Sequence, residues 1–234
     1  MQKLNQHYQD FSLAFSSRKD TLHTSKNIRK TFMNYAVEHQ NTVYSFLVTT
    51  PRKKRIKHSL IYVDSGLVLV KLGKNEYAVE QDNAIWLPFD CLTSVTFVPG
   101  SRVTQIDFSV RLQDKFPTQA GFVSLPPVSK AILEKLSSTN VTEQDKSNLL
   151  AVVRDESRSL RPLLDMSPLS LQISQWSADE ESELSKELLL VLSLREAKKK
   201  MLSGAKRELV IDEFFAGREE EFEQLAMLVM GESL

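Results

Sequence analysis

Residues 58–98, HSLIYVDSGLVLVKLGKNEYAVEQDNAIWLPFDCLTSVTFV, decide the fold of this 234-residue chain. Runs rich in Val, Leu, Ile and Tyr alternate here with turn signals, as they do in a series of short strands. The turn signals are Asp64-Ser65-Gly66, Gly73-Lys74-Asn75 and Gln81-Asp82-Asn83. Four or five strands at this spacing are typical of a small β-barrel or sandwich.

Further strands are predicted on both sides of this stretch. Residues 42–50, TVYSFLVTT, are β-branched and aromatic without a breaker, which favours a strand. Residues 103–110 alternate polar and apolar side chains, as a half-buried strand does. Residues 121–125 form a last short strand, and Pro126-Pro127 ends the β region.

Helical patterns lie outside the β region. Before it, Ser25 is predicted to cap a helix over residues 26–40. After it, helices are predicted over residues 128–137, 142–157, 179–202, 208–215 and 219–230. Residues 158–178 contain Pro162 and Pro168 and are interpreted as a linker.

The composition is that of an ordinary globular protein, with 41% hydrophobic and 26% charged residues. No apolar run reaches the ~18 residues that a membrane span needs, and the N-terminus lacks the apolar core of a signal peptide. The lone Cys91 fits a reducing compartment. We therefore expect a cytoplasmic protein with no membrane partner.

The net charge is zero, but the charges are unevenly distributed. Residues 1–57 contain eleven Lys and Arg and three acids, whereas residues 208–234 contain eight acids and one base. Two solvated faces that attract each other are the simplest interpretation of this asymmetry.

Several short motifs of the β region follow one another in a recognisable order: Leu60-Ile61-Tyr62-Val63, Ser65-Gly66, Ala84-Ile85-Trp86-Leu87-Pro88, Ser94-Val95-Thr96-Phe97 and Ile106-Asp107-Phe108. With these motifs the β region resembles the N-terminal cupin domain of AraC-type transcriptional regulators. The resemblance continues through the helical segments 132–136 and 149–156, and it covers about residues 43–157. It implies an α+β fold, a cupin-like double-stranded β-barrel followed by a C-terminal helical region.

With this resemblance, the chain divides into five predicted parts. They are an N-terminal extension with one helix (1–42), the barrel (43–125), helices that close the barrel domain and offer a dimer contact (126–157), a linker (158–178) and an acidic helical region (179–234).

The positions that hold a metal in metal-binding cupins do not carry metal ligands here. Counted back from Leu60, the His-x-His positions fall on Lys53 and Arg55, the acidic position on Ser59 and the turn histidine on Thr93. Lysine and arginine do not ligate a metal in place of imidazole. We therefore expect no metal, no cofactor and no enzyme activity.

Two interpretations of Lys53 and Arg55 remain open. Residues two apart on a strand share a face, so a barrel-facing pair would form a cationic lining that holds a carboxylate or phosphate. The simpler alternative is a solvated charged loop over residues 51–57, since charged side chains are almost never buried without partners. Lys53, Arg55, Ser59 and Thr93 are accordingly the candidate effector-binding residues.

The tail resembles only part of the helix-turn-helix region of the same family. Leu194-Arg195-Glu196-Ala197, Phe222 and Gly231-x-Ser233 fit the second unit, but its recognition helix contains Glu219, Glu220, Glu221 and Glu223. Such a helix would repel DNA phosphates, whose neutralisation by Lys and Arg supplies most nonspecific affinity. DNA binding is therefore doubtful, and a helical bundle that packs on the barrel or another subunit is favoured.

The resemblance implies a regulator-like protein whose barrel senses a small anionic effector, forms a homodimer, or does both. The alternative is a cupin-fold interaction protein that does not bind DNA and modulates another regulator through its barrel and helices.

Overall fold

The computed structural model describes residues 36–138, 140–178 and 180–234. Ten strands come first along the chain: β1 (Val37–Tyr44), β2 (Val48–Thr49), β3 (Lys53–Lys54), β4 (His58–Ser65), β5 (Leu67–Leu72), β6 (Asn75–Glu80), β7 (Ala84–Leu87), β8 (Leu92–Phe97), β9 (Ser101–Phe108) and β10 (Gly121–Val123). Six helices follow in the described residues: α1 (Pro127–Leu136), α2 (Glu143–Ser157), α3 (Pro168–Gln175), α4 (Lys186–Leu202), α5 (Arg207–Phe215) and α6 (Glu219–Met230).

The strands form two antiparallel sheets that share one apolar interior. The first sheet has the order β1-β9-β4-β7-β10, and the second has the order β2-β8-β5-β6, with β3 also paired to β8. Alternate side chains of each strand point to opposite faces, so Ile61 and Val63 of β4 lie in the interior with Val70 and Val95. This arrangement confirms the predicted cupin-like barrel followed by helices.

The opposite face of the first sheet is covered by α1 and α2. Trp86 and Phe108 from the sheet pack there against Phe116, and Leu133 and Val153 supply the helical side. These side chains are almost fully buried, and burial of such large apolar groups is the main stabilising contribution to this layer.

The outer face of the second sheet is covered by α3 and α4. Leu69 and Ala78 pack against Ile173, Leu188 and Leu192. The predicted 179–202 helix begins later, at Lys186, because the Ser185 side chain caps the Leu188 N–H. Helices α5 and α6 match the predicted segments to within one residue.

Helix α3 also protects the edge of the second sheet. Ser170 Oγ accepts the Ala78 backbone N–H at 2.9 Å, and Ser174 Oγ accepts the Glu76 N–H at 2.7 Å. The Ser174 hydroxyl donates in turn to the Glu76 carbonyl at 2.9 Å. Two serines one helical turn apart thus satisfy backbone groups of β6 that an exposed edge strand would leave unpaired.

Two predicted segments are corrected by the structure. The helix predicted over residues 26–40 is wrong at its C-terminal end, because Val37–Tyr44 forms β1 and pairs with β9 over its whole length. Pairing with a neighbouring strand overrides the local pattern there. The strand predicted over residues 42–50 is interrupted after Tyr44, and residues 1–35 lie outside the described part of the chain.

The predicted linker, residues 158–178, is also structured. It contains α3 and a bridge in which Leu163 exchanges backbone hydrogen bonds with Phe122 of β10. The bridge brings Leu163 so close to Gly121 that a Cβ there would lie 2.6 Å from the Leu163 nitrogen. The division into five parts otherwise stays a prediction. No helix in the described residues is both long and apolar enough to cross a membrane.

Candidate functional site

The candidate site lies at one end of the barrel, called here the barrel mouth and formed by Lys53, Arg55, Ser59, Thr93 and Asp107. Ser59 lies on the same face of β4 as the interior residue Ile61, and it is fully buried. Its register partner on β9 is Asp107, and Ser59 Oγ donates to Asp107 Oδ1 at 2.5 Å. A polar pair therefore replaces the apolar filling of the barrel at this end.

Arg55 turns its guanidinium into this polar end. Its Nη2 donates to Ser59 Oγ and lies 3.5 Å from Asp107 Oδ1, and the arginine side chain is only 22% exposed. Its backbone is fixed as well, because the Arg55 N–H donates to the Cys91 carbonyl and the Arg55 carbonyl accepts the Asp90 N–H, both at 2.9 Å. Arg55 is thus a partnered, inward-facing cation.

Lys53 and Thr93 form the other half of the mouth. They face each other across the β3–β8 ladder, and Thr93 alternates with the interior residue Val95. Thr93 is buried and its hydroxyl donates to the Ser94 carbonyl at 3.3 Å, whereas Lys53 is exposed. Lys53 is therefore solvated, although it lies on strand β3 and not in a loop, and Arg55 faces inward.

The sequence analysis missed two members of the site, Asp107 as a partner of Arg55 and Gln105 beside it. Gln105 Nε2 donates to both Asp107 carboxylate oxygens at 2.9 Å. Both residues lie on the same face of β9 as the interior residue Val103. The alternation in residues 103–110 contained this signal, because it placed Gln105 and Asp107 on the same face of the strand as the apolar Val103.

The mouth carries two cations. Arg55 has five N–H donors, of which Ser59 and Asp107 engage the Nη2 end, and the Lys53 ammonium adds a second positive charge. Within residues 36–138, 140–178 and 180–234, no three His, Cys, Asp or Glu side chains converge as metal ligands.

Burial shifts the pKa values of two titratable residues near the mouth, His58 and Cys91. Burial lowers the pKa of His58, whose Nδ1 accepts the Phe89 N–H at 3.2 Å and whose ring lies 5.7 Å from that of Trp86. Burial raises the pKa of the Cys91 thiol, which opposes formation of a reactive thiolate. Neither residue is arranged as a nucleophile or a base.

Away from the mouth, a buried ion pair joins the barrel to the helical region. Arg195 of α4 donates from Nη1 and Nη2 to the two carboxylate oxygens of Glu76 on β6, at 2.7 and 2.9 Å. The two side chains are only 13% and 8% exposed, and Nη1 lies 3.5 Å from Thr96 Oγ1 of β8. A bidentate pair of this kind fixes orientation as well as distance, so it holds α4 on the second sheet.

Helices α5 and α6 follow each other across a tight turn. Ala216 and Gly217 both have positive φ in this turn, at 51° and 71°. Phe215 and Phe222 pack against each other with ring centroids 5.0 Å apart.

The outward surface of this helix pair is acidic and internally paired. Arg207 of α5 contacts Glu219 and Glu223 of α6, and Arg218 contacts Glu221 at 2.7 Å. The order of elements is helix, turn, helix, but the second helix presents carboxylates where a DNA-binding helix would present cations.

The chain matches no protein-family profile and no curated protein. It is similar in structure to ToxT from Vibrio cholerae, an AraC-family regulator with a cupin-like N-terminal domain. For a ligand-free ToxT variant the TM-score is 0.39 at 11% identity, covering 86% of this chain and 96% of that one. For ToxT with a bound unsaturated fatty acid it is 0.33 at 10% identity, covering 84% and 92%.

A cupin superfamily protein from Desulfitobacterium hafniense is similar over a shorter part of the chain, with a TM-score of 0.30 at 9% identity, covering 33% of this chain and 71% of that one. At such scores and identities, the likeness of fold says nothing of what this chain binds.

Proposed function

We propose that the protein is a regulator-like sensing module whose barrel mouth binds a small anion. The observation that supports this best is the inward-facing Arg55, held beside Ser59 and Asp107 at the open end of an otherwise apolar barrel. Binding rather than catalysis is the function of this site, because the mouth lacks metal ligands, an activated nucleophile and a base poised to accept a proton.

A bound ligand would lie at the rim of the barrel and not in its interior. The interior beyond Ser59 is filled by Ile61, Val63, Val95 and other buried apolar side chains, so an anion would reach the rim of the barrel and no further. There it would be held by Arg55 donors that Asp107 leaves free and by the Lys53 ammonium. A compact carboxylate or phosphate matches this geometry, since guanidinium groups bind both through paired hydrogen bonds.

The signal would be non-covalent. An anion that binds one conformation of the mouth better than another shifts the balance between them. The nearest route to the helices is β8, since Thr93 faces the mouth and Thr96, on the opposite face, lies against Arg195 of α4. Such a protein would pass information to a second copy or to a partner protein, in keeping with the homodimer that the sequence analysis expects.

Anion titration followed by thermal unfolding tests this proposal. Inorganic phosphate, acetate and succinate are added to the parent, to Arg55→Gln and to the control Arg111→Gln, which removes an exposed arginine at the end of β9. We expect a saturable rise in Tm with at least one anion in the parent and the control, and its loss in Arg55→Gln. An identical rise in Arg55→Gln, or no saturable rise in the parent, would overturn the proposal.

A second function, an interaction protein that does not bind DNA, is favoured by the acidic surface of α6. Four of the first five residues of this helix are glutamates, and three of them already pair with arginines. An electrophoretic shift with duplex DNA separates the two functions of the tail. We expect no shift at low salt, whereas a shift that fades steeply with added salt would identify a DNA-binding regulator.

A further inference from the structure

Two loops at the barrel mouth form a basic tip, defined here as residues 52–57 and 88–92. The loops are joined by the two backbone hydrogen bonds of Arg55 and by an ion pair between Lys54 and Asp90 at 2.9 Å. The Phe89 N–H is held by His58. The tip therefore presents a fixed surface to the solvent.

Three apolar side chains of the basic tip are exposed. Ile56 is 78% exposed, and Phe89 and Leu92 are 48% and 45% exposed. A single exposed apolar side chain is ordinary, but three on two joined loops form a patch that costs free energy in water and favours an apolar environment.

Cations lie on one of the two segments that carry this patch, residues 52–57, and on the adjoining β5–β6 hairpin. Three of the basic residues have acidic partners: Lys54 pairs with Asp90, Lys57 with Glu38 and Arg55 with Asp107. Four others have no ion-pair partner among the described residues: Arg52 and Lys53 of the tip, and Lys71 and Lys74 at the adjoining β5–β6 hairpin. Arg52 is directed to this hairpin, because its Nη2 donates to the Gly73 carbonyl at 3.0 Å. The excess charge beside the exposed apolar side chains is therefore positive.

We propose, in place of the expectation of no membrane partner, that the basic tip docks the protein on an anionic phospholipid surface. A bilayer interface offers anionic headgroups outside and acyl chains beneath, so the lysines and the exposed isoleucine gain free energy together. Nucleic acid would contact only the cations of the tip, because its phosphates offer Ile56 and Leu92 no apolar contact. The proposed contact goes beyond anion sensing, since it depends on the apolar residues of the tip.

Vesicle co-sedimentation tests the contact with the full chain. Vesicles of phosphatidylcholine are compared with vesicles that also contain phosphatidylglycerol. We expect binding to the anionic vesicles that weakens with salt, and little binding to neutral ones. Ile56→Ser should weaken binding about tenfold, since partial burial of one large aliphatic group contributes about 1.4 kcal/mol. Lys74→Gln should weaken it about fivefold, the effect of about 1 kcal/mol per cation.

The control is Leu202→Ser, which removes an equally exposed leucine from the end of α4 and should leave vesicle binding unchanged. Ile56→Ser should also keep the anion-dependent rise in Tm, so that failure of this proposal and failure of anion sensing are distinguishable. Vesicle binding that persists in Ile56→Ser but is lost in Arg55→Gln would mean headgroup capture by the mouth, and it would overturn the docking proposal. Binding to duplex DNA without binding to vesicles would overturn it too.

Discussion

Two of the arginine–carboxylate contacts in the described residues, Arg195–Glu76 and Arg55–Asp107, differ in how completely they are satisfied. Arg195 and Glu76 meet through two parallel hydrogen bonds, with both side chains almost fully buried. Arg55 reaches Asp107 at only 3.5 Å, through one end of the guanidinium and with Ser59 between them. The first contact has little to offer another ligand, whereas the second leaves N–H donors of Arg55 without a partner among the described residues.

This difference separates a structural contact from the contact that we propose for anion binding. A buried ion pair with complete geometry holds two elements in one orientation, and it loses much if one partner is removed. A partly exposed cation with an imperfect partner can exchange that partner for an incoming anion. The side where α4 lies is called here the fixed side, and the mouth, where we propose that the Arg55 side chain can exchange its partner, is called the adaptable end.

The largest expected effect concerns the fixed side. Arg195→Ala leaves the Glu76 carboxylate buried without its partner and should lower the free energy of unfolding by about 3–5 kcal/mol. Urea unfolding followed by circular dichroism measures it. The control Lys198→Ala removes the solvent-exposed pair with Glu232 one turn away and should cost about 1 kcal/mol or less. Equal losses in the two variants would contradict the distinction.

The serine hydrogen bonds of α3 also stabilise the fixed side. Ser170→Ala should destabilise by about 1–3 kcal/mol, because the buried Ala78 N–H loses its acceptor. Amide hydrogen exchange should then quicken at Ala78 more than at interior strand positions. Ser147→Ala, at an exposed position of α2, is the matched control and should change neither quantity.

At the adaptable end, we expect a substitution to strengthen an interaction, whereas the two substitutions above weaken one. Asp107→Asn removes the carboxylate that competes for Arg55, so anions should bind about tenfold more tightly than to the parent. Isothermal titration with the anion that most raises Tm in the parent measures this. Weaker binding in Asp107→Asn would show that the carboxylate positions Arg55 rather than competing for it.

The smallest effect is a pH dependence near β1. Burial, with a contribution from Lys146, lowers the pKa of His39 below 6.5, and burial lowers that of His58 in the same direction. The unfolded chain therefore binds more protons than the folded one below about pH 6.5, and stability should fall as the pH drops below that value. His39→Gln should flatten this slope in urea midpoints measured from pH 7 to 5, leaving the part due to His58. An unchanged slope would contradict the assignment.

Much of the fold was predictable because its signals are local. The turns at Gly66 and Gly73 and the apolar strands between them determine where strands begin and end, and capping at Thr142 marks the start of α2. The segment 37–40 was not predictable, because β1 is a strand by virtue of its pairing with β9.

The candidate site was predictable in part. The family resemblance pointed to Lys53, Arg55, Ser59 and Thr93, and the structure puts all four at one end of the barrel. It could not show that Arg55 turns inward while Lys53 stays in water, because that depends on Asp107, which is 52 positions further along the chain and becomes a neighbour only through the β4–β9 register.

The sequence by itself determined the barrel, the absence of metal ligands at the expected positions and the acidic character of the tail. These follow from residue types and their local periodicity, which do not depend on contacts with residues far away in the chain. Only the tertiary structure decided that α4 lies on the second sheet through Arg195 and Glu76, and that Arg55 meets Asp107 at the mouth. Such contacts join residues far apart in the chain, and the free energy that selects them arises when packing excludes water from both partners.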